Sequence, residues 1–190
     1  ISKFVIDALI ATEDERFYEH SGIDPKGVIR AVVFLGQKGG GSTITQQLAL
    51  NMFDERATNK ITRSIQKLKE WIIAVKLERN FTKQEILALY LNTVSYSENV
   101  YGIRNASRTF FQKEPDRLNV EEAAVLVGMV NGPTVFNPRK NPKAALDRRN
   151  LVLSRKGRNN FRSEEAGKKA KASPIKQKIN KVDENNKTAP

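Results

Sequence analysis

Two short runs hold most of the side chains in this 190-residue sequence that could do chemistry. The first is Glu13-Asp14-Glu15-Arg16-Phe17-Tyr18-Glu19-His20-Ser21-Gly22, which sets carboxylates beside aromatic rings and the single histidine. A carboxylate partly withdrawn from water has its pKa raised toward the range useful for general base or acid work. An acidic cluster at a helix end is as readily a solvated terminus, and Glu15 and Glu19, one turn apart, read that way. The second run is Gly39-Gly40-Gly41-Ser42-Thr43-Ile44-Thr45-Gln46-Gln47. Glycines that feed a helix N-terminus make an anion site, because unpaired N–H groups and the helix dipole point outward. The hydroxyls and two amides that follow suit sugar or phosphate oxygens. No Gly-Lys-Ser/Thr follows at the spacing of a nucleotide loop, and Ile44 breaks a Gly-x-Ser-x-Gly nucleophile turn. Further on, Glu70 sits among Arg63, Lys67 and Lys69. Taken alone it reads as a salt-bridged helix surface, with Lys67 and Lys69 so close.

These groups must be carried by helices. Ser2 is a plausible N-cap for an apolar-periodic segment, Phe4 to Thr12, that runs into the acidic cluster. Asp24-Pro25 reads as a cap with proline at the first helical position, and that helix is expected to end at Gly36. Ser42 or Thr43 caps a third helix through Phe53. Ile61, Ile65, Leu68, Ile72 and Val75 step by four and three and predict a long amphipathic helix with Lys and Arg on its other faces. Thr82 with Glu85, and Asn119 with Glu122, are capping boxes. They open a helix through Asn92 and a buried helix over Ala123–Val130. Asn131-Gly132-Pro133 is a turn, Asn141-Pro142 restarts a helix, and Ser163-Glu164-Glu165 starts a last short one. No alternating strand pattern is visible. The expected class is mainly α.

Composition narrows the chemistry further. There is no cysteine, so disulfides, thiolate metal sites and a cysteine nucleophile are excluded, and one histidine argues against a zinc hydrolase. The net charge of +12 is uneven: residues 139–190 hold 16 Lys and Arg against 5 Asp and Glu. That places the excess in a Lys-, Asn- and Ser-rich tail, which reads as a solvated or membrane-facing segment; no nucleic-acid partner is expected. No apolar run reaches the roughly 18 residues of a spanning helix. The sequence opens without an initiator methionine on an amphipathic segment and is expected to be part of something longer. The predicted division is a domain over residues 1–155 and a basic helix or linker over 156–190, largely irregular after 173.

Together the runs resemble the family 51 peptidoglycan glycosyltransferases, found in class A penicillin-binding proteins and in monofunctional forms. The family's Glu-Asp-x-x-Phe-x-x-His-x-Gly motif stands as Glu13, Asp14, Phe17, His20 and Gly22. Its Gly-x-Ser-Thr-x-Thr-Gln-Gln motif stands as Gly40, Ser42, Thr43, Thr45, Gln46 and Gln47. Arg-Lys-x-x-Glu aligns with Gln66-Lys67-Leu68-Lys69-Glu70. Tyr90-Leu91-Asn92, Tyr101-Gly102, Asn137-Pro138 and Arg148-Arg149-Asn150-Leu151-Val152-Leu153 follow in the family's order.

The resemblance implies a lysozyme-like globular lobe and a smaller, membrane-facing jaw lobe flanking a cleft. It implies lipid II and a growing glycan strand as substrates, a membrane surface as partner, and a site at the extracytoplasmic, periplasmic face of a bacterial cell membrane. A transmembrane anchor and a transpeptidase domain are expected elsewhere on the full-length chain. Glu13 matches the catalytic glutamate, the base for a sugar 4-hydroxyl, and Glu70 matches the second glutamate. Glu70 is expected to organise the leaving-group side by holding cations or a divalent metal, Mg or Mn. Substrate contacts are implied at Asp14, Phe17, Gly41, Ser42, Thr43, Gln46, Gln47, Arg63 and Lys67. His20 is expected to be structural, since Glu13 already supplies the base.

The sequence departs from the family at Leu50, where a phosphate-binding lysine is usual, and at Gln66, where the motif has arginine. Arg56 or Lys60 is the candidate replacement. Ser97 stands where glycine is usual. Two rival readings share the residues: a lysozyme-like enzyme that cleaves glycan, and a non-catalytic basic module that adheres to membrane or nucleic acid.

Overall fold

The computed structural model describes residues 1–34, 41–52, 59–97, 99–158 and 175. The expected helix ends at Gly36 and Phe53, the helix expected from Ser163, and Arg56 lie outside the described residues, as does the Lys60 side chain. The chain is mainly α-helical and divides into two compact units, Ile6–Val94 and Ile1–Val5 with Ser95–Pro190.

The first unit carries both chemistry-bearing runs. Its elements are α1 (Lys3–Glu13, entering from the other unit), α2 (Pro25–Val33), α3 (Ile44–Met52), α4 (Lys60–Asn80) and α5 (Lys83–Thr93). The starts of these helices follow local chemistry. Ser2 Oγ accepts from the Phe4 N–H at the head of α1. Pro25 opens α2 directly after Asp24. Thr43 Oγ1 accepts from the Gln46 N–H, and Gln46 Oε1 accepts from the Thr43 N–H, so the glutamine itself completes a capping box. Asn59 with Thr62, and Thr82 with Glu85, cap α4 and α5 the same way. The Asn59 box is additional to those predicted, because its third member is threonine rather than glutamate or glutamine.

Helices α3, α4 and α5 pack on one another. The apolar stripe of α4 does not make that contact. Ile61, Ile65, Leu68 and Ile72 are 75%, 50%, 58% and 58% exposed, whereas Glu70, Ala74 and Leu77 are buried. A stripe at this spacing ordinarily turns to a core; here the more polar face does so, because it carries the charged partners of α3.

The second unit begins with β1 (Ser95–Ser97) and β2 (Val100–Tyr101), an antiparallel pair with Ser95 opposite Tyr101 and Ser97 opposite Val100. This corrects the expectation of no strand: segments of three and two residues are too short for alternation to register. Then follow α6 (Ile103–Phe111), a 3₁₀ turn (Pro115–Arg117), α7 (Val120–Val130) and α8 (Pro142–Arg158). Asn119 and Glu122 box the start of α7, whose residues Ala123–Met129 are all buried. Gly128 lets α8 approach closely, since a Cβ there would lie 3.0 Å from Arg148 Cγ. Burial pushes the Arg149 pKa down, opposed by Glu121, and its guanidinium donates to Asn150 Oδ1. Ser97 Oγ accepts from Asn137 Nδ2 at 3.0 Å, so the departure from glycine there adds a hydrogen bond.

One glycine fixes the loop after α1. Gly22 has φ +94°, and a Cβ on it would lie 2.9 Å from the backbone C and O of Ala74 in α4. Both strain and overlap oppose any larger residue. Gly22→Ala is expected to cost about 2–3 kcal/mol, read as a lower urea midpoint with an unchanged slope; a midpoint equal to the parent's would show that loop and helix yield freely.

Candidate active site

Glu13 is the last residue of α1, and the chain turns immediately after it. The turn is set by Asp14, which is buried. Its Oδ2 accepts from the Ile44 N–H at 3.0 Å, at the first residue of α3. Both of its oxygens lie 2.9–3.0 Å from His20 Nε2. The Gly22 N–H points to His20 Nδ1 at 3.3 Å, which leaves the ring proton on Nε2 to donate to Asp14. A buried carboxylate on the N–H groups of a helix start, with a ring N–H completing its shell, is a low-energy use of burial. Thr43 Oγ1 closes the same loop by donating to the Gly22 carbonyl at 2.7 Å.

A second network backs the loop from α4 and α5. Glu78 Oε1 accepts from Thr45 Oγ1 at 2.6 Å and from Lys83 Nζ at 2.9 Å. Lys83 also donates to the His20 carbonyl at 2.6 Å and stands 4.3 Å from the Phe17 ring centroid. Arg16 pairs with Asp24. Burial alone would raise the Asp24 pKa, but hydrogen bonds from Arg16 and the Gly27 N–H outweigh it and hold the carboxyl below its usual range.

With α3 anchored, its two glutamines reach in different directions, since successive residues are about 100° apart around a helix. Gln47 Nε2 donates to Glu13 Oε2 at 3.3 Å. Gln46 Oε1 accepts from Lys67 Nζ at 3.4 Å. Lys67 reaches Ser42 Oγ at 2.9 Å and Glu70 Oε2 at 2.6 Å. The start of α3 therefore links a carboxylate with an amide neighbour to a second cluster of ammonium, carboxylate and hydroxyl. The first arrangement can accept a proton; the second can meet developing negative charge. The buried Gln46 Nε2 has no hydrogen-bond partner among the described residues.

The fold unites Glu13, Ser42, Gln46, Gln47, Lys67 and Glu70, and places the other residues expected to contact substrate as follows. Phe17 is 0% exposed and packs edge-on to Tyr18 and His20, so it is interior. Asp14 and Thr43 spend their oxygens on the loop and on α3, as described above, and are buried. A Cβ on Gly41 would lie 3.1 Å from Ala31 Cβ and 3.2 Å from Val28 Cα, so this glycine serves close packing on α2. Arg63 is exposed one turn before Lys67 on α4. Leu50 is exposed on α3, where its apolar side chain carries no charge to the site. Among the described residues no three His, Asp or Glu side chains gather as a metal cage. Sequence reasoning passed over Lys83 and Glu78, which lie outside the quoted motifs. It also gave no role to Tyr90, although the Tyr-Leu-Asn run was the signal.

A family model described as Transglycosylase matches residues 1–156. Among similar proteins, Penicillin-binding protein 1A of Aquifex aeolicus is 42% identical over 160 residues, covering 82% of this chain and 21% of that protein. Penicillin-binding protein 1A/1B of Bacillus subtilis is 43% identical over 182 residues, covering 93% and 19%. Penicillin-binding protein 1A of Escherichia coli is 44% identical over 157 residues, covering 80% and 18%. The chain thus spans about a fifth of the length of the curated relatives it matches.

The side chains of Lys83 and Glu78 are only 19% and 6% exposed. Removing one member of such a pair strands the other charge. Lys83→Met is expected to destabilise by about 3 kcal/mol, measured by urea unfolding. A change below about 0.5 kcal/mol would mean that the carboxylate is solvated instead.

Proposed function

The chain belongs to the transglycosylase family, and from that premise we propose that it polymerises lipid II into β-1,4-linked glycan, releasing the polyprenyl diphosphate with inversion at the anomeric carbon. The observation that carries this reading is the linkage, through the start of α3, of a carboxylate poised to take a proton and a Lys67–Glu70 ion pair whose ammonium suits a leaving diphosphate. A sugar hydroxyl is a weak nucleophile, so Glu13 takes the 4-hydroxyl proton as the C–O bond forms. The bond to the diphosphate breaks on the opposite face of the ring, and negative charge grows on the departing oxygen. Lys67 and the Ser42 hydroxyl meet that charge, and Glu70 fixes the Lys67 ammonium in place. One displacement suffices, with no covalent sugar on the protein.

Any divalent cation here would take Glu70 and diphosphate oxygens as donors, since the described side chains offer no cage of their own. No step of this mechanism is routed through it. With leucine at position 50 and glutamine at 66, Lys67 is, among the described residues, the cation held beside Ser42, Gln46 and Glu70.

The same reading assigns the protein to the outer face of the bacterial cell membrane, with a transpeptidase domain on the full-length chain. No helix among the described residues is long and apolar enough to cross a membrane. Surface contact instead falls to the exposed α4 stripe of Ile61, Ile65, Leu68 and Ile72, with Met52 of α3 also exposed. Apolar side chains of this kind enter the interface while neighbouring Lys and Arg meet anionic lipid.

Four outcomes test the proposal. Glu13→Gln should lower polymer formation from labelled lipid II by about a hundredfold to ten-thousandfold without loss of fold, and retained activity removes Glu13 from the base role. Glu70→Gln should also be severely slowed; turnover near the parent's demotes it to structure. Shortening of preformed strands with no polymerisation would favour a glycan-cleaving enzyme instead. Replacing Ile65 and Leu68 by Asn should weaken flotation with anionic vesicles while stability stays within about 0.5 kcal/mol; unchanged flotation excludes this face.

A further inference from the structure

Tyr90 lies on α5, wholly buried, at a distance in sequence from both chemistry-bearing runs. Its hydroxyl donates to Gln47 Oε1 at 2.7 Å, and the other end of the same amide donates to Glu13 Oε2 at 3.3 Å. A glutamine amide has one accepting and one donating end, and the two are nearly isosteric. Its orientation is therefore decided by its neighbours. An ionised Glu13 only accepts, so it selects the amide nitrogen; the phenol O–H, which donates here, selects the amide oxygen. The two preferences agree, and each reinforces the other along the chain of bonds. The reverse polarity would set a carbonyl oxygen against a carboxylate, and is favourable only when Glu13 carries the proton.

We propose that Tyr90 is a positioning residue for the reaction, holding the Gln47 amide so that its N–H keeps the Glu13 carboxylate in one orientation. This rests on the reading of Glu13 as the base. Tyr90 itself touches no substrate; it acts through Gln47. The consequence falls on the chemical step rather than on binding, because a misdirected base still leaves the contacts of Lys67 with Ser42, Gln46 and Glu70 intact. A misplacement of the reacting groups by about an ångström slows an enzyme by as much as a hundredfold.

Tyr90→Phe keeps the ring that fills the interior and removes only the hydroxyl. With lipid II as substrate, kcat per folded molecule should fall roughly tenfold to a hundredfold while KM stays within about twofold. Adding Tyr90→Phe to Gln47→Ala should change kcat no further, since the link is already cut. A parental kcat in Tyr90→Phe, a rise in KM alone, or effects that multiply in the double variant would each overturn the proposal. The same link is read without substrate from the Gln47 side-chain amide resonances, which should shift and broaden in Tyr90→Phe; identical resonances also overturn it. Glu13→Gln in the same assay separates the two levels. An inactive Glu13→Gln beside a fully active Tyr90→Phe rejects the positioning role alone, whereas an active Glu13→Gln rejects the base and the relay together.

Discussion

The buried Asp14 carboxylate on the first N–H of α3 is the contact from which the arrangement of the site proceeds. Asp14 immediately follows Glu13, so fixing one against a helix start fixes where the other leaves α1. The same helix start carries Gln46 and Gln47. A single carboxylate thus brings the end of one helix and the beginning of another into register. Such a group is costly to bury unless its oxygens are satisfied, and here His20 and the Ile44 N–H satisfy them. Gly22, which alone tolerates the backbone conformation of the loop and its approach to Ala74, makes that closure sterically possible.

Around this anchor the charges are segregated. Glu13 receives an amide N–H, which supports a negative charge without neutralising it. Glu70 receives an ammonium, which also reaches the Ser42 hydroxyl and the Gln46 amide oxygen. Two glutamates of the same side-chain chemistry are thereby given different environments, which is what the proposed separation of proton removal from stabilisation of a leaving anion requires. The buried Glu78–Lys83 pair has a third use: it holds Thr45 and the His20 carbonyl together and so stiffens the support beneath the loop.

Helix α4 serves two purposes that compete for its surface. Its inward face is committed to Lys67, Glu70, Ala74 and Glu78, which leaves the most apolar stripe turned outward. In a protein with water on all sides this would be a poor division of hydrophobic surface. It becomes a sensible one where the outer face meets lipid, as the proposed function requires.

Much of this was legible in the linear sequence because its causes are local. Capping boxes at Thr82 and Asn119, proline after Asp24, and the helical periods of α1 and α4 act within a few residues, so they can be read without the fold. The motif residues Glu13, Gln46, Gln47, Lys67 and Glu70 were visible by type and order. The resemblance they carry already implied a base role for Glu13 and a leaving-group role for Glu70; which of the other motif residues line the site was not legible. That Asp14, Phe17 and Thr43 are buried, that Gly41 packs closely on α2, that the α4 stripe turns out, and that Lys83 and Tyr90 bond to residues of the two runs depend on contacts that the linear order does not display. Residue type and spacing determine which side chains a helix offers; only the packing of α3 against α4 and α5 decides which of them meet, because a hydrogen bond needs two groups placed in space and sequence supplies just one at a time.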